Sequence, residues 1–300
     1  MDSMRLVLGT AQLGMNYGIA NQTGKPELAT ARNIVRTAWE GGIRCFDTAQ
    51  GYGDSERILG DIFSDLGISK EVRVITKPAP HIDHTNRDNL EKALKKSLTI
   101  LRLERLHGLM LHRESFLDLY DDGLYDIMRH FVEQGLVEHI GVSLYSPTKA
   151  WAAIEKDIIS IVQVPANMCD QRFYKTGLFA RAETKKTEIY IRSVFLQGLL
   201  LMGKEELTEN MKFAVNVIDK VEQLCQAFNL TKQELAMRYI MQKYPRAFIV
   251  VGAETQEQVK NNICIWKYSN LTSITTEADR IFSDLDEKII NPTLWPNGKI

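Results

Sequence analysis

The stretch RCFDTAQGYGDSERILG, residues 44–60, crowds an acid, hydroxyls and a phenol directly behind an apolar run, with Asp47 and Tyr52 close together and glycines on both sides of the tyrosine. Two further segments end an apolar run on a polar group: VRVITKP supplies Lys77 and LHGLMLHRE supplies His112. Singly, each has an ordinary structural role. A strand-terminal aspartate often caps the next helix, a lysine before proline often runs along the surface with its head in water, and a histidine behind three apolar residues can be a satisfied core residue. For Asp47 the cap is already supplied, because Asp54 and Ser55 stand just before the apolar positions 58, 59, 62, 63 and 66.

Together the four groups make a proton-handling set. A lysine ammonium near a phenol lowers its pKa from about 10 by favouring the phenolate, and a carboxylate holds the lysine. Such a tyrosine gives or takes a proton near neutral pH, and a nearby histidine orients a carbonyl or shares the proton. The set suits carbonyl reduction, in which a proton reaches the oxygen as hydride reaches the carbon.

Elements must bring these groups together. Eight short apolar runs recur along the chain, at residues 6–8, 43–46, 72–75, 106–111, 140–142, 158–164, 189–191 and 247–251. Between them lie segments of helical spacing. Leucines 90, 94, 98 and 101 trace one face of a helix over 87–102, with Thr85 and Asp88 at its start, and positions 214, 218, 221, 225 and 228 trace another. Thr231 and Glu234 form a capping box for a helix ending before Pro245. Strands apolar on both faces, alternating with amphipathic helices, imply a parallel sheet covered by helices. Eight such units fit a closed (β/α)8 TIM barrel of the α/β class. An open doubly wound sheet would place a G-x-G-x-x-G turn after the first strand, and Gly9-Thr10-Ala11-Gln12-Leu13-Gly14 has the wrong spacing. In a barrel the strand C-termini share one mouth, and Asp47, Lys77, His112, Ser143, Gln163 and Arg192-Ser193 all fall there.

The composition fits one domain over residues 1–300, with 276–300 as a C-terminal extension. Of the residues 44% are hydrophobic and 25% charged, enough to bury a sizeable core. A net charge of -1 gives no reason to expect nucleic acid or an anionic membrane as partner. Cys45, Cys169, Cys225 and Cys264 show neither C-x-x-C nor zinc-finger spacing, so no metal site is expected and reduced thiols fit best. The start MDSMRLVLGT lacks signal-peptide character, and the expectation is a cytoplasmic protein.

FDTAQGYGDSERILG resembles the signature of the aldo-keto reductases, D-T-A-x-x-Y-G-x-S-E-x-x-L-G, at every fixed position, and VITKP and LHRE supply the lysine and histidine of that family. The resemblance runs from LGTAQLG at residue 8 to VKNNI at residue 263. It implies a barrel that binds a nicotinamide cofactor without a Rossmann fold, NADP(H) favoured and NAD(H) possible. It makes Tyr52 the general acid, tuned by Lys77 and Asp47, with His112 orienting the carbonyl. It places Gly9, Thr10 and Ala11 at the first strand end, Ser143 and Gln163 on the carboxamide, and Arg192 where the family stacks a tyrosine under the nicotinamide. Ser193, Phe195, Gln197 and Gly198 follow the ribose and pyrophosphate, and Gly252, Thr255, Gln258, Asn261 and Asn262 hold the adenosine end.

Several positions depart from the family pattern. Leu144 replaces a common asparagine. The fixed charge of Arg192 opposes that of an oxidised nicotinamide, so the oxidised cofactor should bind more weakly than the reduced. Gly252 and Gln258 occupy the positions of the lysine and arginine that grip a 2′-phosphate, and Glu254 adds a carboxylate. Thr255 and Gln258 also form a capping box that needs no ligand. The substrate expected is a small aldehyde, ketone or sugar-type carbonyl. Two alternatives stay open: a cofactor-binding redox sensor or regulatory partner protein with slow turnover, and a lyase or dehydratase using Tyr52 and Lys77. The loop 78–85 with His81 and His84, the segment 200–212 and the tail 291–300 with Trp295 are the candidate substrate loops, the histidines being expected in solvent. The oligomeric state is left open.

Overall fold

The computed structural model describes residues 4–268 and 274–295. Each of the eight apolar runs becomes a strand: β1 Leu6–Gly9, β2 Cys45–Asp47, β3 Arg73–Thr76, β4 Leu106–Leu111, β5 Val137–Ser143, β6 Ile159–Pro165, β7 Glu188–Arg192 and β8 Phe248–Gly252. All pair parallel in sequence order, and β8 closes on β1. Both faces of such a strand are buried, so its residues need not alternate in polarity. One face packs against the surrounding helices. The other fills the barrel with Val7, Cys45, Ile75, Met110, Ile161, Tyr190 and Val250, from seven different strands. β5 contributes Gly141 instead, where a Cβ would fall 2.7 Å from the Ile161 carbonyl oxygen.

Helix faces follow the leucine spacing, while their ends differ from expectation. Leu90, Leu94, Leu98 and Leu101 are buried on the helix Arg87–Leu101, yet its cap is Asn86, whose side chain accepts from the Asn89 N–H, rather than Thr85 with Asp88. Thr85 instead donates to the Asp83 carboxylate, closing the preceding turn. The next expected helix begins at Val215, because Ala214 ends a 3-10 turn, and its buried face is Val217, Ile218, Val221 and Leu224. The Thr231–Glu234 capping box forms with both reciprocal bonds.

At the end of the barrel opposite the mouth, His107 on β4 meets Glu138 and His139 on β5, with ligand-type atoms within 4.8 Å of one another. Arg105 and His107 take the two Glu138 oxygens at 3.0 and 2.9 Å, and the His139 ring meets the Ser160 hydroxyl. These bonds satisfy the cluster as a polar plug. All four cysteines are free. Among the described residues no helix is long and apolar enough to cross a membrane.

Candidate active site

The register sets the mouth. Gly9 lies opposite both Asp47 and Gly252, and Ser143 lies opposite Gln163. Lys77 follows β3 by one residue and is only 1% exposed, so it is not a surface lysine. Its Nζ donates to Asp47 Oδ1 at 2.7 Å and to the Thr48 carbonyl at 3.1 Å. The same Asp47 oxygen accepts from Gln163 Nε2 at 3.1 Å. The Thr48 carbonyl and the Gln163 amide give this buried ion pair further hydrogen bonds, which offset part of its desolvation cost.

The polar residues between Asp47 and Tyr52 and just beyond are mostly ties. Ser55 Oγ bonds to Thr10 and accepts from Thr48, fastening the β2 loop to the β1 end. The buried Glu56 carboxylate accepts from Thr76 and Ser97, and burial raises its pKa. Gln50 bonds to Ala79, Ala93 and Ser97. Asp54 holds the N-cap position of the helix Ser55–Leu66 but makes no side-chain cap bond; it pairs with Lys25 at 2.7 Å instead.

Tyr52 is placed by close backbone approach. Gly53 has φ +54°, which glycine adopts without steric cost. A Cβ on Gly14 would fall 1.8 Å from the Tyr52 carbonyl oxygen. Gly51 is outside the left-handed region, and its open side faces the His112 ring, 3.4 Å from where a Cβ would be. The Tyr52 and His112 rings then meet edge to face at 5.9 Å.

The electrostatics correct one expectation. Burial, followed by the negative charge of Asp47, holds the Tyr52 phenol well above its ordinary value, with Arg192 opposing. Lys77 does not pull it down, because its ammonium is bound to Asp47 and lies over the Tyr52 ring, 5.3 Å from the centroid. Tyr52 is therefore a protonated phenol at neutral pH. His112 is pushed down to about 3, first by burial and then by Lys77, Arg192 and Arg113. It is held as a neutral imidazole, and its Nδ1 is buried with no hydrogen-bond partner among the described residues.

Two cavities converge on this centre. One, of about 250 Å³, is lined by the ends of β1, β7 and β8. Gly9, Thr10, Ala11, Asp47 and Gly252 face it, as do Ser193, Phe195, Gln197 and Gly198 after β7, with Gln258 and Asn262. The other, of about 810 Å³, takes in His112, Ser143 and Gln163. Tyr17, Tyr52 and Arg192 line both. Thr255 and Asn261 are exposed and line neither. Around the smaller cavity Ser193, Leu196 and Gln197 have positive φ, a costly conformation that clusters at ligand clamps. The Ile19 N–H bonds to the Gln197 carbonyl at 3.0 Å, joining the β1 and β7 loops. Arg192 lies over the Tyr145 ring at 4.0 Å and reaches the Leu144 carbonyl, while its Nε is buried and unpartnered.

A nicotinamide dinucleotide fits these residues. Arg192 borders both cavities and His112 the larger one, each with a buried nitrogen that has no hydrogen-bond partner among the described residues, and at Gly252 a Cβ would fall 2.3 Å from Gln12 Oε1, the end of a flexible side chain that would have to shift. The β8 end is different in charge. Gln258 Oε1 accepts from the N–H groups of Glu254 and Thr255, and Thr255 Oγ1 accepts from the Gln258 N–H, completing the capping box. Asn262 accepts from Gln233. Glu254 faces the smaller cavity, and among the described residues Arg192 is the one cationic side chain that lines it.

Tyr17, Tyr145, Gln12 and Gln233 carry no motif signal. They lie in loops or on helices whose approach to the mouth depends on the closed barrel. His84 is not in solvent: it is buried, stacked on Phe116 at 3.7 Å and bonded to the Ile82 carbonyl. The tail reaches the mouth through Asn291 and Thr293, while Trp295 packs away from solvent with its N–H on the Lys288 carbonyl; residues 296–300 lie outside the described residues.

Comparison with known proteins adds independent findings. The model of the aldo/keto reductase family matches residues 5–278. Norsolorinic acid reductase of Aspergillus flavus is 23% identical, over 86% of this chain and 72% of its own length. Among solved structures, the holo form of an aldo-keto reductase from Bacillus halodurans superposes with a TM-score of 0.75 at 18% identity, covering 99% of this chain and 95% of that one. An aldo/keto reductase from Klebsiella pneumoniae in complex with NADP and acetate gives 0.72 at 17%, covering 93% and 91%. With the strand order, the mouth and the family match in agreement, this chain belongs to the aldo/keto reductase family.

Proposed function

We propose that the protein reduces a small aldehyde, ketone or sugar-type carbonyl with Tyr52 as general acid. The observation that carries this is the meeting of the two cavities at Tyr52 and Arg192, with the unpartnered His112 Nδ1 beside them. A bound reduced nicotinamide dinucleotide supplies the hydride. His112, neutral, aligns the carbonyl by hydrogen bonding. Tyr52 holds its proton until negative charge develops on the carbonyl oxygen, then delivers it, because an alkoxide is a stronger base than a phenolate. The Asp47–Lys77 pair fixes the ring from beneath, and Gln163, anchored to Asp47 through its amide nitrogen, keeps its oxygen free for a carboxamide.

The adenosine end suits NADH better than NADPH, a departure from the family expectation. The helix-start donors that would meet a 2′-phosphate are taken by Gln258 and Thr255, and Glu254 would repel it while accepting from a 2′-hydroxyl. The reductase reading is tested with a panel of aldehydes and ketones, followed at the cofactor absorbance. Tyr52→Phe is expected to lower kcat by about 10²–10⁴ with binding of the cofactor retained. Unchanged turnover in that variant would refute the assignment. Tight cofactor binding with no turnover across the panel would favour the sensor reading.

A further inference from the structure

The larger cavity has a charge imbalance that the reduction chemistry does not use. Its lining carries Arg113, Lys149, Arg172 and Arg192 against Glu114 and Glu287. Most of these charges are already answered. Lys149 pairs with Asp118 at 2.7 Å, and Arg172 makes two bonds to the buried Asp170 carboxylate while lying 3.8 Å from Glu287. The Glu114 carboxylate accepts from the backbone N–H groups of Tyr145 and Ser146. Two cations remain without a carboxylate. Arg192 makes only long bonds, at 3.4 Å, to Ser193 and the Leu144 carbonyl, and Arg113 has no ion pair or side-chain hydrogen bond among the described residues.

We infer that the carbonyl substrate carries its own anionic oxygen group, a carboxylate or phosphate, which Arg113 binds in the larger cavity with Arg192 adding to the field; this rests on the reductase reading. Arg113 directly follows His112, the residue that orients the carbonyl, so both ends of one small molecule are held from the same loop. An arginine fork matches either oxyanion geometry with two parallel N–H bonds. Arg192 borders both cavities, whereas Arg113 lines only the larger one, which makes Arg113 the group that distinguishes charged from uncharged substrates. Burial and Lys77 depress the His112 pKa most, and Arg192 and Arg113 add to the effect, so the positive potential of both arginines extends to the His112 ring.

The test separates binding from turnover. Calorimetric titration of the full chain compares glutarate with 1,5-pentanediol, and glycerol phosphate with glycerol, in the parent, Arg113→Gln and Arg113→Lys. At least one anion should bind ten or more times tighter than its neutral partner. That preference should shrink about tenfold in Arg113→Gln and largely return in Arg113→Lys, with the tighter anion identifying carboxylate or phosphate. Equal binding of charged and neutral partners, or a preference unmoved by Arg113→Gln, would overturn the inference. Reduction of succinic semialdehyde is measured against butyraldehyde in parallel, and the charged aldehyde should have the higher kcat/KM. An Arg113-dependent anion preference with no turnover of either aldehyde would remove the reductase reading and leave the anion site standing; turnover with no anion preference would do the reverse.

Discussion

At the scale of single residues, the site is governed by which groups are denied water. Tyr52 and His112 are both held in their neutral forms, the phenol by burial and Asp47, the imidazole by burial and three neighbouring cations. In the proposed mechanism, an acid that keeps its proton and an orienter that does not compete for it make a division of labour that a freely titrating pair would blur. His112, held at about 3 against an ordinary value of about 6.5, should remain neutral at pH 5. Nitrogen-15 NMR of labelled histidine checks this, and a titration midpoint near 6.5 would contradict it. The linkage has a definite sign. Between about pH 6.5 and 3 the unfolded chain binds a proton at this position that the folded chain does not, so the His112 contribution to stability is lost as pH falls through that window. The variant His112→Gln should lose less stability across it.

At the scale of elements, close approach matters more than side-chain chemistry. The turn Ala11–Gly14 presses against the Tyr52 loop so tightly that Gly14 has no room for a methyl group. Gly14→Ala should therefore move Tyr52 off the mouth and lower kcat by at least about 10², with a smaller loss of thermal stability; full activity in a folded variant would show that the loop can give way. The proposed preference for NADH belongs to the junction of β8 with the helix Gln256–Tyr268. There Glu254→Ser should shift the ratio of NADPH to NADH affinity upward by about tenfold, read by calorimetry, through removal of about 1.4 kcal/mol of like-charge repulsion. Parent protein that already prefers NADPH would contradict the assignment of Glu254.

At the scale of the whole molecule, the smaller cavity is walled by loops after β1, β7 and β8, which are distant in sequence and adjacent only through barrel closure. A ligand lodged there binds the native state alone. At a hundredfold excess over Kd it should add about 2.7 kcal/mol and raise Tm by several degrees. Because Arg192 carries a fixed charge at the mouth, the reduced cofactor should raise Tm more than the oxidised one at equal concentration. Equal shifts in differential scanning fluorimetry would count against that role for Arg192.

Strand number, barrel class, the gathering of Asp47, Tyr52, Lys77 and His112 at one mouth, and most of the β1 and β7 residues that line the smaller cavity were legible in the sequence alone. The strands and the four polar residues follow from apolar runs of strand length and from polar residues near strand ends, both matters of local spacing, whereas the β1 and β7 loop residues come from the resemblance to the aldo-keto reductases. Tertiary structure decided what local spacing does not encode. It turned Glu56 and Gln50 into ties, buried His84, took the Asp54 carboxylate from its helix to Lys25, and brought Tyr17, Tyr145 and Arg113 to the mouth. It also reversed the expected direction of the Tyr52 pKa. The Lys77 ammonium was expected to lower it, but the shift depends on how much water remains and on which atom the ammonium faces, and only the closed barrel sets those.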